Sequence, residues 1–371
     1  MKILLLSDSN SIHTIKWVKA LSDAGLGIGL FSFYPSSSSI FNEYKNILTS
    51  NINLAPELRM NESTKFSKLV YLKAIRQIKK LIMEYKPDIL HAHYASSYGL
   101  VGALTHFHPF VISVWGEDVY DFPNKSIIHK SILKYNLKKA DAILSTSFVM
   151  KNETKKYTSK EISVTPFGID VDVFKPMNEL GLFEQNTIVI GTIKALEKKY
   201  GIEYLIKAFH IVKKRITDKP LKLLIVGKGS QEYYLKQLVK NLNLENDVTF
   251  TGFIEHGDVP KYHNMLDIYV SVSIDDSESF GVAILEAGAC GKPVVVSDVG
   301  GLPEVVVNGE TGFVVESKNP DAIASSICRL IDNPELRVSM GNSGRKRVLE
   351  FYSWNDSVKK MIAVYDSMIL K

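Results

Sequence analysis

Short apolar runs alternate along the whole chain with longer segments in which apolar residues recur at helical spacing. In the first half the runs that read as strands are Lys2–Leu6, Gly29–Phe33, Ile89–His91, Phe110–Val114 and Ala142–Ser145. In the second half they are Ile188–Thr192, Leu221–Val226, Val248–Phe250, Ile268–Val272, Pro293–Ser297 and Gly312–Val315. Such alternation predicts repeated strand–helix units, hence an α/β protein with parallel sheets. Ser67–Tyr85 is a predicted helix, with Leu69, Val70, Ile75, Ile78, Leu81 and Ile82 on one stripe and Lys68, Lys73, Arg76, Lys79 and Lys80 interleaved. That pattern suits a helix covering a sheet with its lysines in water, and also one resting on a lipid surface. Pro166–Pro176 has two prolines, a glycine and no period, which predicts a linker between two doubly wound domains and a cleft separating them.

At 371 residues the chain exceeds what one hydrophobic core usually serves, so two domains are expected. Apolar residues at 45% and charged residues at 23% exclude a disordered or fibrous chain. Runs such as Ile3–Leu6 and Val294–Val296 fall far short of the roughly 20 residues that span a bilayer. The first run also lacks the length and small residues of a signal peptide. The only cysteines are Cys290 and Cys328, which excludes a disulfide framework and fits a reducing cytoplasm. The net charge of +5 is unevenly spread: residues 1–168 carry 21 Lys and Arg against 13 Asp and Glu, and the remainder 24 against 27. A basic half beside a mildly acidic one suggests different partners for each, with an anionic membrane face or an ordinary solvated surface as readings of the first.

In parallel α/β sheets ligands bind beyond the carboxyl ends of strands, and three second-half segments place glycines and charges there. Gly227-Lys228-Gly229 follows a strand, where backbone N–H groups can approach a phosphate or simply form a tight turn. Gly191–Gly201 carries Lys194, Lys198 and Lys199, each able to set an ammonium beside a diphosphate or to lie in a solvated basic loop. Glu278-Ser279-Phe280-Gly281-Val282-Ala283-Ile284-Leu285-Glu286 joins a loop carboxylate to one about a turn inside an apolar helix. Two carboxylates flanking free backbone donors suit hydroxyls at both ends of a ligand with a diphosphate in its middle, which describes a nucleotide sugar. Two solvated glutamates flanking a buried helix is the plainer alternative.

Several motifs in the same order carry a family resemblance. The run from Glu278 to Glu286, Gly291–Glu304 (GKPVVVSDVGGLPE), Asn308–Phe313 (NGETGF), Gly168–Pro176 (GIDVDVFKP), Leu224–Gly229 and Phe250–Phe253 resemble the C-terminal half of family 4 retaining glycosyltransferases. The likeness covers almost all of residues 165–350. It implies the GT-B fold, two Rossmann-like domains with parallel sheets facing each other across a cleft. Residues 1–168, with a terminal helix over about 356–371 crossing back, would form the acceptor-side domain, and 169–355 the nucleotide-sugar-binding domain. The aromatic cluster Phe351-Tyr352-Ser353-Trp354 before that helix is read as packing. Residue by residue, the resemblance implies that Glu278 contacts donor-sugar hydroxyls and Glu286 the ribose hydroxyls. Phe280, Gly281 and Val282 would offer backbone donors, Phe253 and Ile254 would border the base, and Gly227 would approach the phosphates. Lys194 and Lys199, with a helix N-terminus, would ease the diphosphate away, so no metal or other cofactor is required and Asp170-x-Asp172 is not read as a metal site.

The chain departs from the family where an Arg usually follows the glycine at 191; here Thr192 stands there, and Lys194 is placed to take over its charge. Ser9-Asn10-Ser11-Ile12-His13 replaces a glycine pair, and Trp115 stands where many members have a histidine. Asp118, as a catalytic residue, and His13 become the candidates for contacting the reacting hydroxyls, with Asn10 and His13 on the acceptor side. His91, His93, His106 and His108 lack the spacing of a zinc site, and His91 and His93 are read as hydrogen-bonded polar residues. The expected function is therefore a retaining transfer of a sugar from a nucleoside diphosphate, UDP first and GDP second, to a hydroxyl acceptor. The resemblance points to a lipid-linked or growing surface glycan, such as one on a polyprenyl diphosphate. The expected setting is cytoplasmic, with the basic domain on the inner membrane face and no nucleic-acid partner. A GT-B epimerase or hydrolase, or a non-catalytic nucleotide-sugar sensor, remains the alternative.

Overall fold

The computed structural model describes residues 1–37, 41, 47–54, 68–178 and 182–369. Ser38 and Ser39, the Ser67 end of the long helix and residues 370 and 371 lie outside them. The chain divides into two compact units, Met1–Pro166 with Val358–Lys371, and Phe167–Ser357.

The first unit is built on seven parallel strands: β1 (Lys2–Leu6), β2 (Gly27–Ser32), β3 (Ile47–Asn51), β4 (Ile89–His93), β5 (Phe110–Val114), β6 (Ala142–Ser145) and β7 (Ile162–Val164). Their order across the sheet is β3-β2-β1-β4-β5-β6-β7. Strands β4 and β5 are buried along their whole length, as expected where helices cover both faces of a parallel sheet. Leu4, Leu6, Phe31, Leu90, Phe110 and Ile112 pack with Ile78 and Leu81 of the helix Lys68–Tyr85 in one apolar core. Each such side chain contributes about 1.5–3 kcal/mol by leaving water.

The second unit has six parallel strands, β8 (Ile188–Ile193), β9 (Leu221–Val226), β10 (Val248–Gly252), β11 (Ile268–Ser271), β12 (Val294–Ser297) and β13 (Gly312–Val315), in the order β10-β9-β8-β11-β12-β13. Its core joins Ile190, Leu223, Val270 and Val295 to Ile206 and Phe209 of the helix Ile202–Arg215 and Ile327 of the helix Pro320–Asp332. The latter helix has a sequence-legible start, with Asn319 accepting from the Ala322 N–H and Pro320 at the first helical position.

The segment read as a linker is tightly held instead. Phe167, Ile169 and Phe174 are buried, the Ile169 N–H donates to the Tyr352 carbonyl, and the Trp354 N–H donates to the Ile169 carbonyl. Trp354 opens the last helix, Trp354–Ile369, rather than preceding it. Proline and glycine density marks an irregular backbone but does not reveal that Phe167, Ile169 and Phe174 anchor it.

In both sheets the chain moves from the first strand in one direction through the second and third, then returns to the other side of the first with the fourth. The crevice this reversal opens lies beyond the carboxyl ends of β1 and β4 in one unit and of β8 and β11 in the other, which is where an α/β sheet takes a ligand.

Candidate active site

In the second unit the loops following β8 and β11 are tied to each other. The Ile274 N–H donates to the Lys199 carbonyl at 2.8 Å, while Leu196, fully buried, exchanges backbone bonds with Lys228 and Gln231 after β9. This brings together Lys194 and Glu278, 84 positions apart: the ammonium lies 3.0 Å from one carboxylate oxygen and 2.9 Å from the other. Their side chains are 17% and 13% exposed, so the pair is shielded enough to be stronger than a surface ion pair yet open to a ligand. The Tyr200 ring is shared by two cations, with the Lys194 and Lys199 nitrogens 4.4 and 5.5 Å from its centroid.

Glu278 leads into the helix Val282–Ala289 through Gly281, whose φ of +84° is the left-handed region that glycine enters without strain. The Ile284 and Leu285 N–H groups turn back to the Gly281 carbonyl, which leaves Val282 and Ala283 to present the helix's leading N–H groups. Glu286, four positions after Val282, lies on the same face and is buried. The side chain of Phe280 is spent on packing, with its ring 6.1 Å from Phe167 and 5.9 Å from Tyr352, so only its backbone can serve a ligand. Phe253, 61% exposed just beyond β10, offers an open ring with the Lys228 ammonium 5.1 Å from its centroid; Ile254 beside it is half-buried.

Gly227 has a different role from the expected one. Its N–H donates to the Gly252 carbonyl at 2.9 Å and is therefore not presented to a phosphate. At φ +134°, a Cβ there would overlap the Lys194 carbonyl oxygen. Glycine at 227 lets the loop carrying Lys194 lie against β9.

The first unit places mainly uncharged groups at its corresponding crevice, beside the Asp8 carboxylate, which accepts from the Asn10 N–H at 2.9 Å. Ser7 and Thr14 share a hydrogen bond at 2.6 Å, His93 Nδ1 lies 3.1 Å from Ser7 Oγ, and the Trp115 ring stacks 4.4 Å from that of His93. His13 stands edge-on to Trp115 at 6.0 Å. Asn10 ties its loop to the next, donating to the Pro35 carbonyl and accepting from the Ser37 N–H and hydroxyl. His91 is held between Tyr365 Oη at 2.7 Å and Ser113 Oγ at 2.8 Å, so both buried histidines are hydrogen-bonded, as their positions suggested. Burial pushes the His91 imidazole down to about 3, and burial, then the neighbouring His91 and His13, holds His93 well below the usual range. Both rings are neutral near pH 7.

Asp118 also needs correction. It is 1% exposed and its two oxygens accept from the N–H groups of Trp115, Gly116 and Ala95. Burial raises its carboxyl, while those N–H bonds hold it back down. Asp118 fixes the turn that presents Trp115 instead of meeting a hydroxyl itself. Ser7, Thr14 and His93 are not site candidates on sequence alone; the position of Ser7 directly after the first strand is the available signal.

Residues 177–347 match the family described as glycosyl transferases group 1, and residues 2–147 match glycosyl transferase 4-like. The N-acetyl-alpha-D-glucosaminyl L-malate synthase of Bacillus anthracis is 30% identical over 298 residues, 75% of this chain and 74% of that one. Among solved structures, a sucrose-phosphate synthase from Thermosynechococcus elongatus superposes with a TM-score of 0.85 at 22% identity, covering 100% of this chain and 99% of that one. The Anabaena protein HepE, crystallised with UDP, does so with a TM-score of 0.81 at 20% identity over 99% and 100%. The two parallel-sheet units are thus those of the GT-B fold.

Proposed function

The chain belongs to the group 1 glycosyl transferases, and from that premise we propose that it moves a sugar from a nucleoside diphosphate to a hydroxyl acceptor with retention of anomeric configuration. The observation that carries this reading is the Lys194–Glu278 pair beside the head of the helix Val282–Ala289. Cationic and anionic groups side by side at a sheet's reversal point suit a donor that is itself a diphosphate joined to a polyol. Lys194, Lys199 and the leading N–H groups stabilise the charge that grows on the departing diphosphate. Glu278 accepts from sugar hydroxyls, Glu286 from the ribose, and Phe253 and Ile254 border the base. The bond from the anomeric carbon to the diphosphate breaks as the acceptor oxygen attacks from the same face, and the acceptor proton passes to the departing phosphate. No protein nucleophile or metal is needed. UDP is the first carrier to test and GDP the second.

The first unit is assigned the acceptor, with Asn10 and His13 on its rim. A membrane-borne acceptor, such as a glycan on a polyprenyl diphosphate, is supported by the helix Ile127–Lys139. Its first turn exposes Ile127 and Ile128 at 75% and 67%, next to a groove of about 310 Å³ that they line with Ser131, Ile132 and Tyr135. Lys130, Lys134, Lys138 and Lys139 lie on the same helix and Lys125 just before it, and no carboxylate occurs between Asp121 and Asp141 in the sequence. Apolar tips within a field of like positive charge fit an anionic lipid surface. No described helix is long and apolar enough to cross a membrane.

Incubating UDP- and GDP-sugars with an acceptor panel, and assigning product configuration by NMR, tests the chemistry. Retained configuration in a product containing the acceptor is expected. Donor consumption unchanged when acceptor is omitted would instead mark a hydrolase or epimerase, and binding without turnover a sensor. Flotation with phosphatidylglycerol vesicles tests the surface: salt-sensitive binding lost in Ile127→Glu/Ile128→Glu is expected, and equal binding by the variant would remove the helix from the account.

A further inference from the structure

His263, on the helix Val259–Asn264, lies beside Glu286 and is fully buried. Neither ring nitrogen has a hydrogen-bond partner. Buried imidazoles in this protein are otherwise paired, as His91 and His93 are, so an unpaired one calls for a reason. Its Nε2 points toward Glu286, lying 3.7 Å from one carboxylate oxygen, just beyond hydrogen-bond range. The other faces of the ring are closed by aromatic groups, with Tyr269 at 5.3 Å and Phe174 at 6.1 Å. Asn264 donates to the Lys175 and Pro260 carbonyls, and Lys292 to the Asn264 carbonyl, while Tyr269, beside the ring, carries a buried hydroxyl that is likewise without a hydrogen-bond partner. Packing alone would be met by a phenyl ring. An imidazole adds one N–H donor and one acceptor, and the nearest charged oxygen belongs to the carboxylate assigned to the nucleotide's ribose.

We infer that His263 is a positioning residue for Glu286, donating from Nε2 to one carboxylate oxygen so that the other is held toward a vicinal diol. This rests on the proposed reading of Glu286. A directional donor behind the carboxylate narrows its side-chain torsions further before the nucleotide arrives. The energetic consequence falls on recognition of the diol and not on the departure of the diphosphate.

Calorimetric titration of the full chain with UDP and GDP, each beside its 2′-deoxy counterpart, tests this. The natural chain is expected to bind the ribose form of its preferred nucleotide at least tenfold more tightly than the deoxy form. In His263→Phe the ribose form should weaken about tenfold while the deoxy form changes little, and His263→Gln, which restores an N–H donor, should recover part of the preference. An unchanged ribose-to-deoxy ratio in His263→Phe, with Glu286→Gln collapsing that ratio, would overturn the inference and leave the site reading standing. If Glu286→Gln also leaves the ratio unchanged, the diol assignment falls and the inference falls with it. Melting temperatures of each variant separate loss of packing, which would weaken all four ligands alike, from loss of orientation, so a uniform weakening also counts against it.

Discussion

The two sheets share an order and differ in what stands at the point where that order reverses. Beyond β8 and β11 the second unit sets a mostly shielded ion pair, a second ammonium and the leading N–H groups of a helix. Beyond β1 and β4 the first unit sets hydroxyls, the neutral His93 imidazole, an indole and the Asp8 carboxylate, while the deeply buried Asp118 carboxylate is taken up by backbone N–H groups. On the proposed function, topology fixes where each unit binds, and side-chain charge decides what. A diphosphate needs fixed positive charge, whereas a neutral hydroxyl needs oriented, uncharged partners that do not compete for ions.

Breaking the charged crevice should have the largest effect. Lys194→Ala should lower kcat by about 10²–10³, the scale seen when one donor to a developing oxyanion is removed, and steady-state kinetics with a fixed acceptor would show it. The neutral crevice should fail through acid instead. In the unfolded chain His91 and His93 titrate near the ordinary value of about 6.5, but folded His91 does so only near 3 and His93 well below its usual range. Between those values the unfolded chain takes up protons that the folded chain refuses. Stability is thus complete above about pH 6.5 and falls as pH falls, by about 1.4 kcal/mol per pH unit for each histidine. Thermal unfolding from pH 7 to 4.5 should show this slope, and His91→Gln should flatten part of it. Tyr365→Phe, which strips His91 Nδ1 of its partner, should cost about 1–3 kcal/mol by chemical denaturation at pH 7. Asn10→Ala should do least, raising the acceptor KM several-fold while leaving donor affinity within about twofold, since it loosens only the rim of the first crevice.

Most strands were legible because buried parallel strands are continuous apolar runs, and those such as Phe110–Val114 and Leu221–Val226 form as read. Two were missed. Ile47–Asn51 is a half-polar edge strand and Ile162–Val164 has three residues, so neither carries the signal of a covered strand. Lys194 and Glu278 were each recognisable as candidates, but their contact across 84 positions is made by the fold. Gly227 and Asp118 were read as facing a ligand because sequence shows a polar group without showing what satisfies it. His263 carried no sequence signal, since one histidine in a short helix becomes informative only when its ring is seen unpaired beside a carboxylate.

Amide hydrogen exchange with and without UDP or GDP compares the two crevices in one measurement. The account predicts added protection over residues 194–201 and 278–283 in the presence of the nucleotide the chain accepts, with residues 8–13 unchanged. Protection at 8–13 with none at the second unit's loops would contradict it.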